Sequence, residues 1–212
     1  ENGNGGAIHL FGSSTINLAT VNIFRSTLTK NTAKHDGGAV SISGGGSNTT
    51  INHTTIVDNI ADSDASGLGN GGGINTSNGS LTVFNSIVAS NQDRSPASNR
   101  IFDDIYSLNS PSVTNNGFNF IGNNVGSFTT FPAGAPNANN DYVGTSLAKL
   151  DPDLGLYGDN GGPTETLIPL TNGTLAVIDK GSCASEPHDQ RLLGNNISKK
   201  RVVDLNGVPN GA

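Results

Sequence analysis

The chain has 212 residues, a formal net charge of −6 and only 13% charged residues, about half the usual share. It carries no basic stripe that would release counterions from a phosphate backbone, which argues against a nucleic-acid partner, and no run of about 18 apolar residues that would make a transmembrane segment. Glycine and asparagine, 29 of each, dominate the composition, yet Val, Ile and Leu fall in short regular bursts, unlike the low-hydrophobicity, high-charge pattern of disorder.

A repeat organises the first half of the chain. Gly5-Gly6-Ala7-Ile8 recurs as Gly37-Gly38-Ala39-Val40 and as Gly71-Gly72-Gly73-Ile74, spaced by 32 and 34 residues. A second register, Ile23-x4-Leu28-x2-Asn31, recurs as Ile51-x4-Ile56-x2-Asn59 and Val83-x4-Val88-x2-Asn91. Two registers advancing together mark a stacked repeat.

Within each repeat, three bursts alternate apolar and polar residues at strand period. In the first they are Ala7–Leu10, Thr15–Leu18 running through Val21–Ile23, and Ser26–Thr29. In the second they are Ala39–Ile42, Thr50–Asn52 and Thr55–Val57. Gly and Asn punctuate the gaps and supply positive φ at corners. Three short strands per 30-odd residues predict an all-β fold, a right-handed parallel β-helix of about four or more irregular coils, with the hand following the rule for parallel crossovers. Ile23, Ile51 and Val83 are one expected core ladder; Leu28, Ile56 and Val88 are another; Ile8, Val40 and Ile74 form a third. Asn31, Asn59 and Asn91 are an expected amide ladder at a turn.

A looser coil follows, with strands expected in Ile101–Tyr106, Ser112–Thr114 and Phe118–Gly122. The coils are thus expected over residues 1–124, a surface loop over 125–146, and a segment that completes or caps the β-helix over 147–212. Loops of varying length precede each Gly-Gly, as in Lys34-His35-Asp36 and Asp62–Leu68. Their confinement to one corner marks an expected binding side.

The last block is the most specific. It holds Leu150-Asp151-Pro152-x-Leu154-Gly155, Asp159-Asn160-Gly161-Gly162-Pro163-Thr164-x-Thr166, Ile168-Pro169-Leu170, Ala176-Val177-Ile178-Asp179-x-Gly181 and Asp189-Gln190-Arg191. Together these resemble the C-terminal signature of bacterial choice-of-anchor Q proteins, which often carry a CSLREA-type segment. The Gly-Gly-Ala-Ile repeats resemble those of polymorphic outer-membrane proteins. The resemblance implies a right-handed parallel β-helix, secretion, and display at or beyond the bacterial surface, with no catalytic residues to carry over. The chain departs from that pattern in having Leu192 after Arg191 where the family has glycine.

Several residues carry chemistry by type. Asp151, Asp153, Asp159 and Asn160 are hard oxygen ligands among glycines and suit calcium in kind, although Asx-turns would use them equally well. Asp103-Asp104 is the adjacent acidic pair within a coil, the candidate for polysaccharide hydrolysis or lysis on this fold. Asp179 with Asp189-Gln190-Arg191 reads as a structural lock. Cys183, alone in the chain, has no internal disulfide partner. Thr27, Thr55 and Ser86 hint at a hydroxyl column of the kind an ice-binding face needs, but unequal coil lengths and bulky inserted loops break the flat array. The reading that follows is a non-catalytic, extracellular structural or adhesive protein. It would stack end to end or bind a glycan or cell-surface ligand, and would need no cofactor apart from the candidate calcium. A polysaccharide lyase or hydrolase is the alternative.

Overall fold

The two glycines of each repeat do different work. Gly5, Gly37 and Gly71 hold φ of 66°, 67° and 69°, the left-handed region that side chains avoid. A Cβ on the second glycine would collide with the next coil instead: on Gly6 with the carbonyl oxygen of Gly38, on Gly38 with that of Gly72, on Gly72 with that of Asp103. The pair therefore turns the chain and lets successive coils close on one another.

The computed structural model describes residues 3–12, 19–96, 101–107, 112–170, 177, 180–182 and 190. The first coil contributes β1 (Ile8–Phe11), β2 (Ala19–Phe24) and β3 (Thr27–Thr29). The second contributes β4 (Val40–Ser43), β5 (Ser47–Asn52), β6 (Thr55–Val57) and a short β7 (Ile60–Ala61). The third contributes β8 (Ile74–Thr76), β9 (Ser80–Phe84), β10 (Ile87–Ala89) and β11 (Gln92–Asp93). Shorter strands follow, β12 (Ile105–Tyr106), β13 (Ser112–Asn115), β14 (Phe120–Ile121) and finally β15 (Tyr142–Val143).

Every strand pairs in parallel with its counterpart one coil away. The first sheet runs β1-β4-β8-β12, the second β2-β5-β9-β13 and the third β3-β6-β10-β14-β15, with β7 and β11 paired at a corner. The fold is a parallel β-solenoid, and no α-helix forms among the described residues. The register stacks like on like. Ile23 pairs with Ile51 and Ile51 with Val83. Leu28 pairs with Ile56, Ile56 with Val88, and Val88 with Ile121. Ile8, Val40, Ile74 and Ile105 form the inward column of the first sheet. These columns meet in one continuous core.

Left-handed residues also stack at the corners. Arg25, His53 and Asn85 have φ near 50°, and Lys30, Asp58 and Ser90 all have φ of 58°. A non-glycine residue there costs free energy, and the repetition of the same turn in each coil keeps the strands in line.

Two expectations are corrected. Residues 125–146 are not simply a surface loop. Phe131 is fully buried in the core, Tyr142–Val143 extends the third sheet, and Gly134 bridges Val143 in antiparallel fashion. The coils therefore run past residue 124, and this stretch closes one end of the core. The hydroxyl column is different too. Thr27 pairs with Thr55, but the next member is Ile87 rather than Ser86, because Ser86 turns into the corner, where it is buried.

The remainder of the described chain runs along the solenoid instead of around it. Leu150 N–H donates to Gly122 O near the closed end. Antiparallel bridges Leu154–Pro169 and Gly158–Thr166 make a hairpin. Its Tyr157 lies under the Lys30 ammonium, 5.6 Å from the ring centre, beside the first coil. Further on, Lys180 sits 5.2 Å over the ring of Tyr142, Ser182 meets Asn85, and Gln190 accepts from Thr27 at 2.7 Å. Phe120, on the outward column of the third sheet, is only 3% exposed.

Candidate functional site

Two axial columns run through the buried polar groups. In the first, Asn31 donates its backbone N–H (3.0 Å) and its Nδ2 (2.9 Å) to Asn59 Oδ1. Asn59 repeats the pattern on Asn91 Oδ1, at 3.0 and 2.9 Å. The next position is taken by a carboxylate, since Asn91 donates in the same way to Asp104 Oδ1. The other oxygen of Asp104 accepts the Asn123 N–H at 2.7 Å. The second column runs through Thr54 N–H to Ser86 Oγ, Ser86 N–H to Asn119 Oδ1 and Asn119 N–H to Asp141 Oδ1. Both columns thus reach an aspartate towards the closed end. An amide there would turn a donor towards another donor, whereas a carboxylate offers acceptors on both sides.

This decides what Asp103 and Asp104 can do. Asp104 is 1% exposed and accepts three N–H bonds. Burial pushes its carboxyl up to about 7, against the lowering effect of hydrogen bonds from Asn91 and Asn123. Asp103 is also buried, accepting from Asn123 Nδ2 at 3.1 Å and from the Lys149 ammonium at 2.6 Å. Asp103 keeps 11% of its side chain exposed beside the exposed Lys149. Nearby Asp62 accepts from Ser66 N–H and Oγ, Gly67 N–H and Ser95 Oγ, and Asp93 from Ser95 and Phe102 N–H. These acids order the corner loops from within.

The four expected calcium ligands are dispersed among turns. Asp151 Oδ1 accepts Asp153 N–H, and Asp159 Oδ1 accepts Gly161 N–H, each at 2.9 Å. Asn160 Nδ2 donates to Thr166 O at 2.7 Å and holds the hairpin together. Among the described residues, no three His, Cys, Asp or Glu side chains converge on a point where a metal ion could sit. Asp179, Cys183, Asp189 and Arg191 lie outside the described residues.

Outward positions of the second sheet form an uncharged face. Thr20, Asn48 and Ser80 make one row; Asn22, Thr50, Thr82 and Thr114 make another. Strands β2, β5, β9 and β13 contain no charged residue at all. Members of a row repeat about 4.8 Å apart along the axis, and the two rows lie roughly 6.7 Å apart along the strands. An aromatic edge borders the face: Phe24, His53, Phe84 and Phe118 meet edge to face, with centroids 5.9, 5.9 and 6.3 Å apart. His53 is pinned in one tautomer. Asn85 grips the Ser182 backbone through both Oδ1 and Nδ2, which turns its Nδ2 towards His53 Nε2, so Nδ1–H donates to Asn52 Oδ1.

The sequence signalled the Asn register by its spacing. It gave no comparable signal for the aspartates at the far end of each column, because Asp104 and Asp141 reach their positions from loops outside the repeat spacing. The aromatic edge was missed because its members stand at corner and strand positions with different neighbours. In comparisons with known proteins, the chain matches no family model, no curated protein and no solved structure.

Proposed function

We propose that this is a non-catalytic structural or adhesive rod of a bacterial surface or matrix, secreted and of the choice-of-anchor Q type that its C-terminal motifs resemble. The observation that carries the reading is the commitment of the buried acids to structure. Asp62, Asp93, Asp103, Asp104 and Asp141 each accept at least two hydrogen bonds from neighbouring coils or loops.

Adhesion is assigned to the uncharged face of the second sheet, where hydroxyl and amide rows beside an aromatic edge suit a neutral glycan. Calorimetry against neutral and acidic polysaccharides tests this. Binding to neutral chains, lost in Thr50→Lys with Thr82→Lys, supports it; equal binding by that variant removes the face from the reading. The alternative, a polysaccharide lyase or hydrolase, is tested in the same solutions. Release of reducing ends or unsaturated products, abolished by Asp103→Asn, would replace the structural reading.

Self-stacking of copies through the open edges of β1, β2 and β3 is the competing use of that end. Negative-stain microscopy over a concentration series tests it: regular thin filaments support self-stacking, while dispersed particles at every concentration refute it.

A further inference from the structure

The amide column has a direction. Asn59 Oδ1, Asn91 Oδ1 and Asp104 Oδ1 each receive two N–H donors, and in every case both come from the preceding coil. Asn31 is the first member, and among the described residues its Oδ1 receives none; its Nδ2 goes to Asn59 and to Thr29 O. Among the described residues the column therefore begins with an acceptor that lacks the donor pair its successors all have.

The surrounding surface is incomplete in the same way. β1, β2 and β3 each stand at the edge of their sheet. Ile8, Val21 and Leu28 are half-buried, whereas their partners one coil on, Val40, Thr49 and Ile56, are fully buried. The opposite end differs, being closed by Phe131 and by the Gly134–Val143 bridge.

This polarity tells which occupant fits. Two copies meeting by their open ends would wind in opposite senses and pair the strands antiparallel, which breaks the parallel register that carries the asparagine column. A head-to-tail copy would offer the closed end. There Asp104 has both oxygens engaged, and Asn123 directs its Nδ2 sideways to Asp103 while its Oδ1 accepts Val125 N–H. Neither arrangement supplies an N–H pair to Asn31.

We infer that the open end is a directional docking surface for one further parallel β-solenoid coil that carries an asparagine at the register of Asn31, and not for a second copy of this chain. The inference extends the interface already present between the first and second coils and between the second and third. It rests on the fold and is independent of glycan binding.

A tandem chain tests it. A copy of residues 33–60 placed directly before Glu1 keeps the six-residue step from ladder asparagine to glycine seen between Asn31 and Gly37. Hydrogen exchange by mass spectrometry then reads β1, β2 and β3. The expected result is protection increased by at least about tenfold in those strands, with the added coil itself protected. Replacing the copied asparagine by alanine should remove most of that gain and leave the rest of the chain unchanged. An added coil that exchanges as unfolded chain, with β1–β3 unaltered, overturns the inference, as does an alanine version as protected as the asparagine version. Sedimentation of the unmodified chain is the second arm: monomer across the micromolar range is expected, and a dimer abolished by Asn31→Lys would show that a second copy is the occupant.

Discussion

Asn91 directs its backbone N–H and its side-chain amide to the same oxygen of Asp104, at 3.1 and 2.9 Å. That oxygen ends a run of amides whose NH2 groups all point towards the closed end, so a negative group meets their positive side, much as an acidic residue does at a helix N-terminus. Removing the carboxylate from water opposes this and raises the carboxyl to about 7 from 3.8. Between those two pH values the folded chain keeps a proton that the unfolded chain has lost. Stability therefore falls as pH rises from about 4 to 7, by on the order of 4 kcal/mol at most. Asp36, raised chiefly by burial, adds in the same direction. Urea midpoints between pH 4.5 and 7.5 should show the decline, and Asp104→Asn should flatten it to the part left by Asp36. An unchanged slope in that variant would remove Asp104 as the source.

The amide column should weigh most in its middle. Asn59 is fully buried, and its Nδ2 reaches Leu28 O, Val57 O and Asn91 Oδ1 while its Oδ1 holds Asn31. Asn59→Ala orphans several buried groups at once and is expected to cost about 2–4 kcal/mol. Asn31→Ala, at the half-buried open end, should cost about 1 kcal/mol. Chemical denaturation of the two variants measures the difference.

Thr49 faces inward between Val21 and Leu81, and its Oγ1 is buried without a hydrogen-bond partner among the described residues. Thr49→Val keeps the shape and removes the unpaired hydroxyl, and should stabilise the fold by about 1–2 kcal/mol. Thr50→Val on the outward face should change stability by less than about 0.5 kcal/mol. Thermal unfolding of both decides whether inward hydroxyls are the liability.

Phe131 closes the core at the end opposite β1. Phe131→Ala is expected to cost about 3–5 kcal/mol. It should expose the amides of Tyr142–Val143 to exchange before those of the second and third coils. Loss of protection spread evenly over all coils would mean that the residue is not a local plug.

Much of the architecture could be read from residue spacing because each coil rewrites the same steric requirement. Gly37 must be glycine for its φ and Gly38 for the coil above it, so both recur wherever a coil turns. Val83 and Val88 keep their places because the strand register is fixed on both sides. The pattern fades where the requirement changes. Phe131 enters the core from a turn, with no strand period to mark it. Tyr142–Val143 follows a segment of Gly, Pro, Ala and Asn that looks like any exposed loop. The second column was illegible because Thr54, Ser86, Asn119 and Asp141 share only the ability to accept a hydrogen bond, not an identity.

A stack of coils that touch only their neighbours would lose its first coil for the cost of one interface. Here Lys30 and Thr27 of that coil also hold Tyr157 and Gln190, residues that follow the last described strand. The contact joins the two ends of the described sequence into a closed loop of interactions. Peeling must therefore break bonds to the hairpin and to the second coil together, and a load on the first coil is shared with residues from the far end of the described sequence.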